Sequence, residues 1–123
     1  MDWHSLDEQT RLAEIMARMP AAVTVLDLEG RLLFYNDYAR KILDRKPEYL
    51  GRDVGLCHQP ENAARIRGLL ESYGRGRRGE YSYRTERQGR ALAVRVAPWV
   101  AGGRCLGLIQ IAAPLEIRPI PGV

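Results

Sequence analysis

Residues 26–54 read LDLEGRLLFYNDYARKILDRKPEYLGRDV, and this stretch contains the main indications of the fold. The apolar, β-branched run 22–27 that leads into it predicts a β-strand. Glu29 and Gly30 predict a turn, and residues 31–35 predict a second strand. The stretch therefore begins with a β-hairpin.

Helical signals follow the hairpin. Asn36 or Asp37 can cap a short helix, because their side-chain oxygens accept hydrogen bonds from free backbone N–H groups. Pro47 and Gly51 break the connector after it. Pro60 suits the first turn of a longer helix, where the missing proline N–H costs nothing. The apolar face of this longer helix consists of Ala63, Ile66, Leu70 and Tyr73.

Three runs with strand character make up the last third of the chain: residues 80–86, 90–100 and 104–113. In the first two runs, successive side chains belong to opposite faces of a strand. Pro98 predicts a strand edge or a bulge near Trp99, because proline has no N–H for the sheet. The element order predicts an α+β fold, with one five-stranded antiparallel sheet and helices packed on one face.

An amphipathic helix is predicted before the hairpin. Residues 5–8 fit a capping box at its start, and Pro20 ends it. Its apolar stripe either packs onto the domain's own core or forms the seam of a dimer, and the sequence favours neither. The stripe consists of Leu12, Ile15, Met16 and Met19.

The composition is that of one soluble globular domain: 123 residues, 46% hydrophobic and 28% charged. No apolar run has membrane-spanning length and no signal peptide is visible, so we expect a cytoplasmic protein with no membrane association. The net charge of +4 raises nucleic acid as a partner. The arginines are dispersed except in RGRRG at 75–79, and no nucleic-acid-binding motif accompanies them. We therefore do not expect direct nucleic-acid binding.

The stretch 26–54 resembles the signature of a PAS domain: a strand, Asp-x-x-Gly, a second strand, Asn, a helix and a Leu-Gly-Arg step. The resemblance covers about residues 15 to 113 and implies the PAS fold. It suggests a flanking helix over 1–19, the PAS domain over 20–113 and a proline-rich tail over 114–123. The matching positions are Asp27, Gly30, Asn36, Ala39, Leu43, Leu50 and Gly51.

A second, narrower resemblance lies in LCHQPENAARIRGLLESYGRGRRGEY, residues 56–81. This stretch is similar to the PAS variety found in bacterial proteins beside hemerythrin-like domains. Cys57, His58 and Pro60 match its Cys-His-Pro-Pro step, whereas Gln59 replaces the first proline.

The resemblance implies a sensory or interaction module, not an enzyme. PAS domains hold small ligands or cofactors between sheet and helices and commonly dimerise through N-terminal helices, which implies a homodimer. Residues 113–116, Ala-Pro-Leu-Glu, replace the Asp-x-Thr that connects many PAS domains to a following signalling helix. The sequence contains no kinase, cyclase or DNA-reading motif, no zinc-site spacing and no nucleophile elbow. We therefore expect output through the N-terminal helix or a separate signalling protein.

The candidate binding residues surround the start of the longer helix. Heme-binding PAS domains usually take a histidine from this region, so His58 is a candidate ligand for heme iron; the alternative is a structural hydrogen bond to the backbone. Cys57 is a candidate redox thiol near a helix N-terminus, or else an inert buried side chain. The chain lacks the cysteine motif of light-sensing flavin PAS domains, so heme, an organic ligand and a filled core remain open. The residues predicted to line or gate the pocket are Tyr38, Leu43, Leu56, Cys57, His58, Ile66 and Leu70.

Overall fold

Residues 2–56 and 58–122, which a computed structural model describes, fold into three α-helices and five β-strands. Short 3-10 turns lie at Trp3–Ser5, Pro47–Tyr49 and Val54–Leu56. The helices are α1 (Glu8–Arg18), α2 (Asp37–Ile42) and α3 (Pro60–Gly74). The strands are β1 (Ala22–Asp27), β2 (Leu32–Tyr35), β3 (Tyr81–Arg87), β4 (Arg90–Ala101) and β5 (Arg104–Pro114).

The strands form one antiparallel sheet in the order β2-β1-β5-β4-β3. The first and last strands of the chain are therefore neighbours in the middle of the sheet. Thr24 of β1 lies opposite Gln110 of β5, and Val96 of β4 lies opposite Gln110 on the other side. The predicted α+β fold with one five-stranded antiparallel sheet is confirmed.

Alternate residues of the strands pack against α2 and α3 and form one core. Ile66 and Tyr73 of α3 are fully buried, because their spacing places them on the helix face that meets the sheet. The strand residues of this core are Ala22, Leu26, Leu32, Leu92, Val94, Val96, Leu108 and Ala112.

The hairpin turn is stabilised by a side chain of its own strand. Asp27 Oδ1 accepts hydrogen bonds from the backbone N–H groups of Glu29, at 3.0 Å, and Arg31, at 2.9 Å. Gly30 adopts a φ of 84°, a conformation that glycine reaches without steric cost. The turn predicted at these residues is confirmed.

The start of α1 differs from the prediction. The N-cap is Asp7, whose Oδ1 accepts from the backbone N–H of Thr10 at 2.7 Å. Ser5 instead donates its hydroxyl to the carbonyl oxygen of Asp2 in the preceding turn. The predicted capping box is therefore wrong, because the nearer aspartate already satisfies the N-terminal donor.

The end of the sheet also adjusts the predicted boundaries. The register of β4 and β5 shifts between Trp99 and Val100, which confirms the bulge predicted beside Pro98. β5 includes Pro114, and the N–H of Leu115 still donates to Ala91. The sheet thus extends slightly into the predicted tail. Among the described residues, no helix has the length and apolarity needed to cross a membrane.

Candidate functional site

A small cavity lies between the inner face of the sheet and the N-terminal part of α3. Its volume is about 10 Å³, which is about the space needed for one water molecule. The helical layer contributes one part of its wall, and β3, β4 and β5 contribute the other. The lining residues are Leu43, Arg45, His58, Gln59, Asn62, Tyr83, Thr85, Arg87, Val94 and Gln110.

Arg45 places a charged side chain against this cavity although only 4% of the residue is exposed. Its Nε donates to Thr24 Oγ1 on β1 at 3.1 Å, and its Nη1 donates to the carbonyl oxygen of Asp44 at 3.1 Å. A buried guanidinium is tolerated only when hydrogen bonds replace the lost water. These contacts therefore fix the orientation of the Arg45 guanidinium.

His58 is half-buried next to Arg45, and both of its ring nitrogens contact protein atoms. Nδ1 lies 3.2 Å from the carbonyl oxygen of Val54, while Nε2 lies 3.3 Å from Arg45 Nη2 and 3.1 Å from Gln110 Oε1. A carbonyl oxygen only accepts, and a guanidinium only donates. We therefore assign the proton to Nδ1 and the acceptor role to Nε2, and Gln110 then presents its side-chain NH2, in place of Oε1, to Nε2.

The surroundings of His58 also favour its neutral form. Its pKa is lowered from an ordinary 6.5 to about 4, first because burial penalises the imidazolium and second because the Arg45 charge repels it. Arg87 adds a weaker repulsion of the same sign. His58 is thus a neutral hydrogen-bonding group at physiological pH.

The far side of the cavity joins α3 to β3 by polar contacts. Asn62 Nδ2 donates to Thr85 Oγ1 at 2.9 Å, and Asn62 Oδ1 accepts from Arg65 Nη1 at 2.9 Å. The guanidinium of Arg65 lies 4.2 Å from the ring centroid of Tyr83, a cation–π geometry. The helix and the edge strand therefore meet through polar groups beside the cavity.

A wider open groove lies next to the cavity, with a volume of about 540 Å³. We call it the basic groove, because four of its lining residues are cationic. It shares Leu43, Arg45, Gln59 and Arg87 with the cavity. Its lining residues are Arg40, Leu43, Asp44, Arg45, Lys46, Gln59, Arg87 and Gln88.

The structure brings only some of the predicted pocket residues together. Leu43 and His58 line the cavity. Tyr38 packs half-buried against the core, and Leu56 is 48% exposed. Two further residues of the predicted pocket, Ile66 and Leu70, are core residues of α3. The cavity wall as described does not include these four, because it lies nearer the start of α3 than the sequence suggested. Cys57 lies outside the described residues.

Sequence reasoning missed the polar residues that dominate the site. Gln110 had a usable signal: it alternates with Leu108 and Ala112 on the inner face of an apolar strand. Arg45 and Arg87 had none, since each stands among other charged residues and only the fold shows that they meet.

Three of the predicted interface residues lie on α1, and the fourth, Met19, is its C-cap. Leu12 and Ile15 are 58% and 59% exposed, whereas Met16 and Met19 are half-buried. An apolar groove of about 440 Å³ runs between α1 and β2. Its lining residues are Leu12, Ala13, Met16, Ala17, Phe34, Tyr35, Asn36 and Asp37.

A sequence model of the PAS domain matches residues 12–111, which is most of the chain. The chain belongs to the PAS domain family. PAS domains are generally sensory and not catalytic, and the sheet order of this structure agrees with that fold. A search among curated proteins found no match. The finer resemblance, to PAS domains found beside hemerythrin-like domains, stays a prediction.

Solved structures similar to this PAS domain agree on the fold. The PAS domain of a Colwellia psychrerythraea protein is 16% identical, with a TM-score of 0.69 over 89% of this chain and 98% of that one. The Cronobacter turicensis RpfR quorum-sensing receptor PAS domain, solved in complex with BDSF, is 17% identical, with a TM-score of 0.62 over 80% and 97%. A Vibrio cholerae VqmA dimer is 18% identical, with a TM-score of 0.67 over 87% and 51%.

Proposed function

We propose that this PAS domain is a cytoplasmic sensory module that binds a small molecule between its sheet and helices. Binding is passed on through dimerisation or through docking to a separate signalling protein, with no catalytic step. The observation that carries the proposal is the polar cavity in which Arg45, His58 and Gln110 meet. A core position that needed only packing would favour apolar side chains there.

The cavity is suited to sensing because its polar residues come from elements that are distant in sequence. Arg45 follows α2, His58 precedes α3, and Gln110 belongs to β5. Conformations of the domain can differ in the position of the helices relative to the sheet. A ligand that contacts all three residues changes the relative free energies of these conformations. Binding is thereby converted into a shift between conformations.

A chain of hydrogen bonds leads from the cavity to α1. Arg45 donates to Thr24 on β1, and the neighbouring Val23 N–H donates to Asn36 Oδ1 at 2.9 Å. Asn36 in turn holds the carbonyl oxygen of Met16 at the end of α1. A shift of β1 relative to the helices therefore changes the support of α1, which carries the exposed apolar residues.

The similar structures support the ligand and dimer parts of the proposal. The RpfR PAS domain was solved with BDSF and also with C12:0, so this fold accommodates small molecules in another protein. VqmA forms a dimer. For this chain, Leu12 and Ile15 on α1 and the apolar groove beside them form the surface we assign to a second copy, with Met16 and Met19 at its base.

Native mass spectrometry of the full chain purified from cells tests the proposal. We expect a co-purified small molecule whose removal by unfolding and refolding lowers the melting temperature. Gln110→Leu removes a polar group from the cavity and should reduce the amount of small molecule that co-purifies. Ile111→Leu, on the opposite face of the strand, should not. A mass equal to the chain alone, with no change of melting temperature after refolding, would contradict ligand sensing.

The small volume of the cavity favours a second candidate function. At about 10 Å³ it holds about one water molecule, so the domain can also act without a ligand, as a dimerisation or protein-interaction domain. In that case Ile15→Glu should abolish dimerisation, whereas the cavity variant Gln110→Leu should leave it unchanged.

The arrangement around His58 does not fit a heme-iron ligand. Its Nδ1 contacts the Val54 carbonyl oxygen, and its Nε2 faces the cationic Arg45 at 3.3 Å. An iron atom at Nε2 would meet this second positive charge at close range. Heme binding stays a prediction from the sequence, and hemin titration of the wild type against His58→Ala tests it.

A further inference from the structure

Two arginines, Arg45 and Arg87, line both the cavity and the basic groove beside it. We propose that the ligand is a small, polar organic carboxylate whose carboxylate group sits between Arg45 and Arg87, with the rest of the molecule in the basic groove. This inference rests on the proposed function, since it names the chemical class of the sensed molecule.

The charges around this position favour an anion. Among the described residues that line the cavity, Arg45 and Arg87 are cationic and none carries a carboxylate. The basic groove adds Arg40 and Lys46 against one carboxylate, that of Asp44. Converging cationic groups in a concave site attract anions and lower the barrier to their entry.

Arg45 is prepared for such a partner by its neighbours. Thr24 Oγ1 and the Asp44 carbonyl oxygen hold its guanidinium in one orientation, and Nη2 contacts the neutral His58 ring. A fixed, buried guanidinium binds a carboxylate more strongly than an exposed one, because less conformational entropy is lost and water screens the charges less.

The size and polarity of the two spaces narrow the class further. The cavity of about 10 Å³ has room for about one water-sized group, such as one carboxylate oxygen, so the rest of the ligand lies in the basic groove. Leu43 is the one aliphatic residue in the described lining of the basic groove. A long acyl chain would therefore lie against charged side chains, whereas a short polar body fits.

Thermal unfolding of the full chain with defined probes tests the inference. The probes are succinate, citrate, succinamide, inorganic phosphate and dodecanoate, each at about 10 mM and at constant ionic strength. We expect succinate or citrate to raise the melting temperature by about 3 °C or more, because a ligand that binds only the folded state stabilises it. The neutral amide, phosphate and dodecanoate should have no comparable effect.

Variants locate the binding position. Arg87→Gln and Arg45→Lys should each reduce the carboxylate-induced shift at least several-fold, while Arg104→Gln, an exposed arginine at the β4–β5 turn, should leave it unchanged. NMR titration of the His58 imidazole supplies a second readout. A carboxylate beside Arg45 and Arg87 offsets their charge and should raise the His58 pKa. A carboxylate bound only near Asp44, at the outside of the groove, should not raise the His58 pKa.

The possible outcomes separate this inference from the proposed function. If succinamide, phosphate or dodecanoate stabilises the protein as well as the carboxylates do, the ligand class is wrong and ligand sensing stands. If no probe binds while native mass spectrometry finds a co-purified neutral compound, the inference is again overturned alone. If no probe binds and no small molecule co-purifies, both the ligand class and the proposed ligand sensing are wrong. If carboxylates raise the melting temperatures of Arg87→Gln and Arg45→Lys as much as that of the wild type, the proposed binding position between Arg45 and Arg87 is wrong.

Discussion

The side-chain amide of Asn36 donates through Nδ2 to the carbonyl oxygen of Met16 at 3.1 Å. The same Nδ2 donates to Ala21 at 2.9 Å, and Oδ1 accepts from the N–H groups of Val23, at 2.9 Å, and Ala39, at 3.1 Å. One buried amide therefore joins the end of α1, the start of β1 and the start of α2. All four bonds require an amide, because two are donated and two accepted.

Asn36→Asp should destabilise the fold although the side chain keeps its shape. The change removes both donated bonds and buries a negative charge beside the carbonyl oxygens of Met16 and Ala21. We expect the free energy of unfolding to fall by about 3 kcal/mol at pH 7, measured by urea denaturation.

The control for this variant is Asp37→Asn, on the neighbouring exposed residue. It should change the free energy of unfolding by less than about 0.5 kcal/mol. An Asn36→Asp protein as stable as the wild type would show that the amide does not support α1 in solution.

His58 should make stability depend on pH. Its pKa is about 4 in the folded chain, against about 6.5 when unfolded. Between these values the unfolded chain binds the extra proton, so stability is complete above pH 6.5 and falls as the pH drops towards 4. The His58 contribution should be about 2 kcal/mol smaller at pH 5 than at pH 8.

Comparison with His58→Gln isolates this contribution, because the other titrating groups are common to both proteins. The difference in unfolding free energy between wild type and variant should shrink from pH 8 to pH 5. His4→Gln, at an exposed histidine, is the matched control. Parallel pH profiles for wild type and His58→Gln would show that His58 is not buried in its neutral form.

Ile15→Glu should disrupt the proposed homodimer. Ile15 is 59% exposed, so a glutamate there is solvated in the monomer and costs little stability, whereas it would bury a charge in an α1 interface. Sedimentation velocity should show a dimer for the wild type and a monomer for the variant, with unchanged melting temperature at low concentration.

Ile117→Glu supplies the matched control for the interface. Ile117 is 91% exposed in the tail and lies outside the proposed surface, so this variant should remain a dimer. A monomeric wild type at all concentrations, or a monomeric Ile117→Glu protein, would argue against the α1 surface.

Two glycines should respond in opposite directions to the same substitution. A Cβ at Gly107 would overlap the backbone carbonyl oxygen of Leu26 on the neighbouring strand, so Gly107→Ala requires the central β1–β5 pair to separate. We expect a loss of about 3 kcal/mol or more, as for other severe overpacking. Circular dichroism during thermal unfolding measures it.

Gly68 lies on α3, and an added Cβ there would have no neighbour within 4 Å. Gly68→Ala should stabilise the protein by about 0.5–1 kcal/mol, because alanine loses less backbone entropy in a helix. Equal effects of the two substitutions would contradict the close approach at Gly107.

Local signals in the sequence determined the elements of this fold. The hairpin turn, the Asn36 cap, Pro60 at the start of α3 and the bulge beside Pro98 each follow from the conformational preferences of the residues involved. Each such preference acts within a few residues, so it can be recognised in the sequence alone. The PAS resemblance then implied that these elements form the PAS fold, whereas the order in which the strands pair came from the structure.

Only the tertiary structure decided which polar side chains meet. Along the chain, 13 residues separate Arg45 from His58, and 52 separate His58 from Gln110. Their contacts form only when β5 inserts between β1 and β4. The sequence predicts Ile66 and Leu70 in the pocket, because an apolar helix face has the same pattern whether it packs against a core or lines a cavity. The charge of the site depends on these long-range contacts, for which the sequence contains no local signal.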